Sequence, residues 1–299
     1  MKRALLAAAL GAAAACHSGT RPAPPAAATA RDGGTPASPA DAGARPDPAQ
    51  AAWEQRDSDP AALDRAISLW EEQALANPQP AAPLLGAARG RRLRIARAEQ
   101  RPDLDAAAVA ADAQACAADA RRSWAAEYPA AAAATDVAEA GALIGAQGAE
   151  ALYLESVCTA EWARMQGFTP LIERRGQLMA SFARVAQLAP DLDGAGPDRE
   201  IGALYAGLPA YAGGDLDKAR KHLDAAIARA PQDARNRIVL ARAVAVKAQD
   251  RALFEEQLRT AGASPDAALA AQAQSLLSRV NDLFGPPEAG QEVPKAPQR

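Results

Sequence analysis

The 299-residue chain predicts an all-α body, a helical-repeat solenoid of helix pairs, on three observations. No stretch sustains the apolar–polar alternation with β-branched residues that marks a half-buried strand. Apolar residues recur instead at helical spacing, punctuated at short intervals by Pro, Gly and Asp. Apolar residues make up 49% of the sequence but aromatics only 4%, because alanine supplies most of the apolar content. Alanine is the strongest helix former, and its small side chain lets helices approach closely. The formal net charge of −3 leaves no basic excess, so no nucleic-acid partner is expected.

The elements follow in order. Lys2 and Arg3 precede an uncharged apolar run over residues 4–15. That run is too short for a membrane span, which takes about 20 apolar residues, and it ends in small residues, as a secretory signal peptide does. Ala13-Ala14-Ala15-Cys16 is similar to a bacterial lipobox, in which small residues precede a cysteine that is acylated and becomes the new N-terminus; Ala13 stands where Leu is more usual. The resemblance implies lipid attachment at Cys16 and a membrane anchor without a spanning helix. His17 in place of Asp implies an outer-membrane destination. The competing reading is an ordinary signal peptide with an incidental cysteine. Residues 16–50 are rich in Ala, Pro, Gly, Thr and Asp and nearly free of large apolar side chains, the composition of a disordered tether.

The helical domain is expected over 51–286, with a disordered tail at 287–299. Periodicity predicts helices at 60–76, 81–99, 103–128, 135–144, 149–165, 170–188, 199–212, 216–230, 234–247, 251–261 and 265–284. Asp215 and Asp250 stand at N-cap positions, and Ala189-Pro190 and Ala230-Pro231 mark helix ends. Besides Cys16, Cys116 and Cys158 remain. On Ala-rich helices they read as small buried hydrophobes; export leaves a disulfide between them as the alternative.

The best single repeat spans 202–231. Gly207, Gly214, Ala219, Leu223, Ala226 and Pro231 sit at the spacing of a 34-residue tetratricopeptide (TPR) unit. In this reading Gly207 lets the first helix approach the second and Gly214 permits the turn. Ala219 and Ala226 share a face that Leu223 fills, and Pro231 ends the unit. Pro209 predicts a kink or break in the first helix. Weaker echoes fall at Ala66, Trp70 and Pro78, where Gln73 replaces a small residue, and at Phe182 and Pro190. Degenerate, TPR-like helix pairs describe the chain better than a regular array.

Catalytic patterns were sought. His17 and His222 are the two histidines, and neither pairs at metal-ligand spacing. There is no nucleophile elbow and no strand-borne glycine loop. No enzyme activity and no cofactor are expected. Arg89, Arg91, Arg92, Arg94 and Arg97, with Arg101 just beyond, form the densest charge cluster. They read as a solvated face with partner carboxylates, or as a docking face for an acidic partner or anionic lipid. Trp124, Tyr128, Phe168 and Phe182 read mostly as core. Tyr153, Trp162, Tyr205 and Tyr211 are the candidate ligand- or partner-binding residues, since Tyr and Trp present flat apolar area with a polar tip.

The C-terminal half resembles one family. Residues 213–223 (Gly213-Gly214-Asp215, then Lys218-Ala219-Arg220 and His222-Leu223) are similar to the "GGD-x-x-KAR-x-H-hydrophobic" segment of the TatT family, TPR-containing lipoproteins associated with TRAP transporters. Gln249-Asp250-Arg251 and Phe254 match its "QDR-x-x-F" segment. Residues 269–284 match its closing helix, with Ala271 in place of Asn. The resemblance covers about 150–284. It implies a lipid-anchored periplasmic helical protein, an accessory of a TRAP-type uptake system that docks the solute-binding protein and encloses a hydrophobic channel or pocket for a small apolar ligand. The alternative is a general TPR scaffold for envelope protein complexes, resting on the lipobox and the repeat alone.

Overall fold

Aspartate caps and prolines, more than long apolar runs, set where the helices begin and end. The computed structural model describes residues 47–98 and 105–286. The signal peptide, Cys16, His17, most of the tether, Arg101 and the 287–299 tail lie outside the described residues. The helices are α1 Pro48–Glu54, α2 Ala62–Ala76, α3 Ala81–Ala98, α4 Ala106–Glu127, α5 Pro129–Ala133, α6 Val137–Leu143, α7 Ala149–Gln166, α8 Phe168–Leu188 and α9 Leu192–Gly207. They continue as α10 Leu216–Arg229, α11 Ala234–Val239, a π-helical segment Leu240–Ala245, α12 Val246–Ala248, α13 Arg251–Ala261, α14 Ala267–Ser278 and α15 Val280–Phe284. No strand occurs among the described residues, so the fold is all-α.

The side chains of Asp47, Asp105, Asp215, Asp233, Asp250 and Asp266 each accept from a free N–H of the helix they precede. Such a cap contributes about 1 kcal/mol. α8 stops before Ala189-Pro190 and α10 before Ala230-Pro231, as expected. The body begins earlier than residue 51, because α1 starts at Pro48, and α5 was not anticipated either. Both start with proline in the first turn, where the missing N–H costs nothing. In those places proline starts a helix rather than breaking one. α9 ends at Gly207, and Pro209 leads into a 3₁₀ turn at Ala210–Ala212. The expected helix 265–284 is interrupted at Arg279.

Long helices pack mainly on their neighbours in sequence: α2 on α3, α3 on α4, α4 on α7, α7 on α8, and α9 on α10. The residues of the expected repeat fall in the α9/α10 hairpin. Ala219, Leu223 and Ala226 are fully buried. The close approach, however, is at Gly202, not Gly207. A Cβ on Gly202 would lie 2.6 Å from Leu223 Cγ and 3.0 Å from the Ala219 carbonyl oxygen, whereas one on Gly207 would meet nothing within 4 Å. Gly214 is obligatory at the turn, since a Cβ there would sit 1.9 Å from the Leu208 carbonyl oxygen. Gln73, in the first echo, keeps its polar tip outward and donates to Asp47 across the α1/α2 corner.

The arginine run of α3 is a set of ties. Arg89 pairs with Glu150 on α7, Arg91 with Glu71 on α2 and Asp119 on α4, and Arg92 with Glu161 on α7. Arg94 bridges Asp64 and Asp112, and Arg97 reaches Asp57. The partner-carboxylate reading therefore holds for this face.

Cys116 and Cys158 form a disulfide between α4 and α7, with their Cα atoms 6.0 Å apart. This corrects the reading of two free buried hydrophobes. Both are buried, but the Ala88–Cys116–Ala120–Leu154–Cys158 cluster brings them into bonding range.

Two outcomes test this packing. Closing a loop across 42 residues stabilises the native state by about 4 kcal/mol on the chain-entropy account. Reduction, or the Cys116→Ser/Cys158→Ser pair, should lower the urea midpoint accordingly; an unmoved midpoint contradicts the bond. Gly202→Ala should destabilise by about 1–3 kcal/mol through overpacking, while Gly207→Ala should be neutral or slightly stabilising. Thermal unfolding of the two variants side by side decides between the two glycines.

Candidate functional site

A cavity of about 560 Å³ lies where α3, α7, α9, α11, the π-helical segment and α14 meet. Each helix contributes one stripe: Arg92 and Ala96 from α3; Glu161, Arg164 and Met165 from α7; Arg199, Glu200 and Ala203 from α9. Arg235, Ile238 and Val239 come from α11, Arg242 and Ala243 from the π-helical segment, and Leu269 and Gln272 from α14. The spacings i, i+3, i+4 and i+7 put these residues on single helix faces.

Its floor is a buried polar network around Arg199, which is only 4% exposed. Asp193, Gly194 and Ala195 adopt three successive left-handed conformations. Each non-glycine residue there costs about 1–2 kcal/mol. The turn directs carbonyls at guanidinium groups. Arg199 Nη1 donates to the Asp193 carbonyl at 3.0 Å and to Asn236 Oδ1 at 3.1 Å. Arg199 Nη2 donates to Asp193 Oδ2 at 2.6 Å and to the Tyr153 hydroxyl at 3.1 Å. The Tyr153 hydroxyl in turn donates to Asp193 Oδ2 at 2.8 Å. Arg235 closes the network from α11, donating to Asp193 Oδ1 at 2.6 Å and to the Asp233 carboxylate. Asn236 Nδ2 donates to the Gly194 carbonyl at 3.0 Å.

The electrostatics follow from burial and pairing. Burial pushes the Asp193 carboxyl up, but Arg199, Arg235 and the Tyr153 hydroxyl together hold it below its ordinary value. Burial drives the Tyr153 hydroxyl well above the usual phenol range, so it stays protonated and donates. Burial opposes the charge of Arg199, yet the Asp193 carboxylate keeps its guanidinium charged. The backbone departs from regular helix a second time at the cavity wall, where Leu240–Ala245 is π-helical; such widened turns cluster at functional sites.

The four sequence-nominated aromatics do not converge. Tyr153 is 3% exposed and serves the buried network. Trp162 is half-buried between two apolar clusters, with the Arg174 guanidinium over its ring. Tyr205 stacks on His222, whose Nδ1 lies 2.9 Å from Asp198 Oδ1. Tyr211 is 87% exposed on the 3₁₀ turn after α9. None of the four lines this cavity, and arginine and glutamate side chains cover much of its wall. The residues the sequence reading missed are Arg164, Arg199, Glu200, Arg235 and Arg242. The seven-residue spacing of Arg235 and Arg242 was a visible signal; the burial of Arg199 was not.

Residues 103–284, more than half of the chain, match the family described as TRAP transporter T-component. The match takes in every cavity helix except α3. No curated protein matches the chain.

Arg199→Leu leaves Asp193 to Arg235 and Tyr153, and Glu200 to Arg164 at 3.5 Å, and should cost up to about 3 kcal/mol by urea unfolding, the low end for breaking a buried ion pair because partners remain. Asp193 has a depressed folded value, so its contribution is present above its unfolded value and lost as pH falls through the folded one. Stability should therefore drop on acidification below about pH 4, with Asp193→Asn flattening that limb; an unaltered acid limb in the variant contradicts the assignment.

Proposed function

The chain belongs to the TRAP transporter T-component family, and from that membership we propose that it is a lipid-anchored periplasmic accessory of a TRAP-type transporter whose helical body docks the solute-binding protein. The family match is the observation that carries this reading. Three others support it. Cys16 stands in a lipobox-like context after an export leader. The Cys116–Cys158 bond suits an oxidising compartment. No helix among the described residues is long and apolar enough to cross a membrane. Tyr211, fully presented on the turn joining α9 and α10, is the nominated docking contact, with Tyr205 behind it on α9. The function is binding, not catalysis.

Affinity capture of the full lipoprotein from detergent-solubilised envelope should recover a periplasmic solute-binding protein. Tyr211→Ala should reduce that recovery without lowering the thermal midpoint, since the side chain supports no packing. Recovery of envelope-assembly proteins without a solute-binding protein would move the function to a general scaffold. Cys16→Ser should abolish lipid labelling and release the protein from the membrane fraction; retention in membranes contradicts the anchor.

A further inference from the structure

A second cavity, of about 230 Å³, shares no lining residue with the Arg199 cavity. Its lining comes from α4, α5, α6, α7, α8 and the segment between α5 and α6. Ser123, Ser156 and Ser181 are each at most 5% exposed. Ser123 Oγ donates to the Ala81 carbonyl and Ser156 Oγ to the Leu152 carbonyl, both at 2.8 Å. Ser181, which lines this cavity, makes no hydrogen bond among the described residues. Gln177 lines it from one turn earlier on the same face of α8 and makes none either. Buried polar side chains are nearly always paired, so an unpaired hydroxyl at a cavity wall points to a partner inside it. Glu155 lines the cavity from α7 and is only 7% exposed. Its Oε2 accepts from the Trp124 indole N–H at 2.6 Å and its Oε1 from Arg121 Nη1 at 3.2 Å. A carboxylate with two donors retains acceptor positions for more. Burial pushes the Glu155 carboxyl above its ordinary range in spite of both donors, so its charge is under-compensated where it sits.

We propose that this cavity is a binding site for a small organic primary ammonium ion, which donates its N–H groups to Glu155, Ser181 and Gln177. Three acceptors on two helices match the three donors of an ammonium group. The balance of charge selects a cation. Glu155 and Asp136 line the cavity, and the guanidinium of Arg121 is committed to Glu155 and to the Trp124 ring, 5.2 Å from its centroid. An anion meets two carboxylates there, and a neutral alcohol gains nothing from the charge. Ala131, Ile144 and Leu152 supply apolar wall for the carbon chain of the ligand. The volume lies below the usual range for drug-sized ligands, roughly 300–1,000 Å³, which limits that chain to a few carbons. The Cys116–Cys158 bond, one turn from Glu155 on α7, holds α4 against α7 and so keeps Trp124 on the carboxylate. The inference goes beyond the transporter reading and does not depend on it, since it concerns this cavity alone.

Titration calorimetry on the purified mature protein at neutral pH tests it, with n-butylammonium chloride against n-butanol, its neutral counterpart of the same shape, and sodium butyrate, the anion. Butylammonium should bind at millimolar concentration or below, butanol at least about tenfold more weakly, and butyrate not at all. Glu155→Gln keeps the shape of the side chain and an acceptor for Trp124, and should weaken butylammonium by about tenfold or more, the loss expected for a charge-assisted hydrogen bond. Ser181→Ala should weaken it by about threefold to tenfold, as for a neutral hydrogen bond. Ser181→Ala should also retain the parental unfolding midpoint, because its hydroxyl bonds nothing else in the protein. This variant keeps the test decisive if Glu155→Gln does not fold. Failure of butylammonium to bind, butanol binding as tightly, or parental affinity in Ser181→Ala would each overturn the site. The assay contains no solute-binding protein, so its outcome is separable from that of the envelope capture.

Discussion

The buried guanidinium of Arg199 is the constraint on which the centre of the molecule depends. A charge this deep persists only if its donors are met, because leaving it unpaired costs several kcal/mol. The acceptors come from two helices and one strained turn: Asp193 and its carbonyl, Tyr153 on α7 and Asn236 on α11. The left-handed turn of Asp193, Gly194 and Ala195 is unfavourable alone, and Arg199 is unfavourable without it. Each makes the other tolerable. Together they fix α7, α9 and α11 relative to one another, and those helices supply three walls of the cavity.

Away from that network, the alanine content changes what holds helices together. An alanine interface buries little apolar area per residue, so close contact yields less hydrophobic stabilisation than leucine or phenylalanine layers would. Around α3, α4 and α7 this is offset by other ties. The α3 arginines reach carboxylates on α2, α4 and α7, and the disulfide joins α4 to α7. Partly exposed ion pairs contribute about 0–1 kcal/mol each, so their main effect is to set helix register, while the covalent bond carries the larger share. The same pairing explains why a dense basic run on α3 is not an open docking face.

Much of the architecture was readable from residue spacing. Aspartate caps, Ala-Pro stops and the Ala219–Leu223–Ala226 stripe act locally, through the chain's own N–H groups and a single facing helix. Proline was harder, because Pro48 and Pro129 start helices whereas Pro209 follows the end of one. Gly207 and Gly202 lie on the same helix, and only the crossing of α9 with α10 decides which of them needs to lack a Cβ. The aromatics were the least readable group. Tyr153 and Tyr211 share residue type and both fall in helices expected from the sequence, yet one is sealed in the core and the other stands in solvent on a 3₁₀ turn.

The sequence by itself determined the all-α class, most helix limits and the family resemblance, because each depends on local propensity or on a short linear pattern. Only the tertiary structure decided the cavity. Its arginines are spread along the chain from Arg92 to Arg242, on α3, α7, α9, α11 and the π-helical segment. Which of them are spent on carboxylates and which stay open is a matter of partners brought in by other helices. The same holds for the Cys116–Cys158 bond. Pairing across the fold depends on distance and burial, and neither is written in the order of residues along one helix.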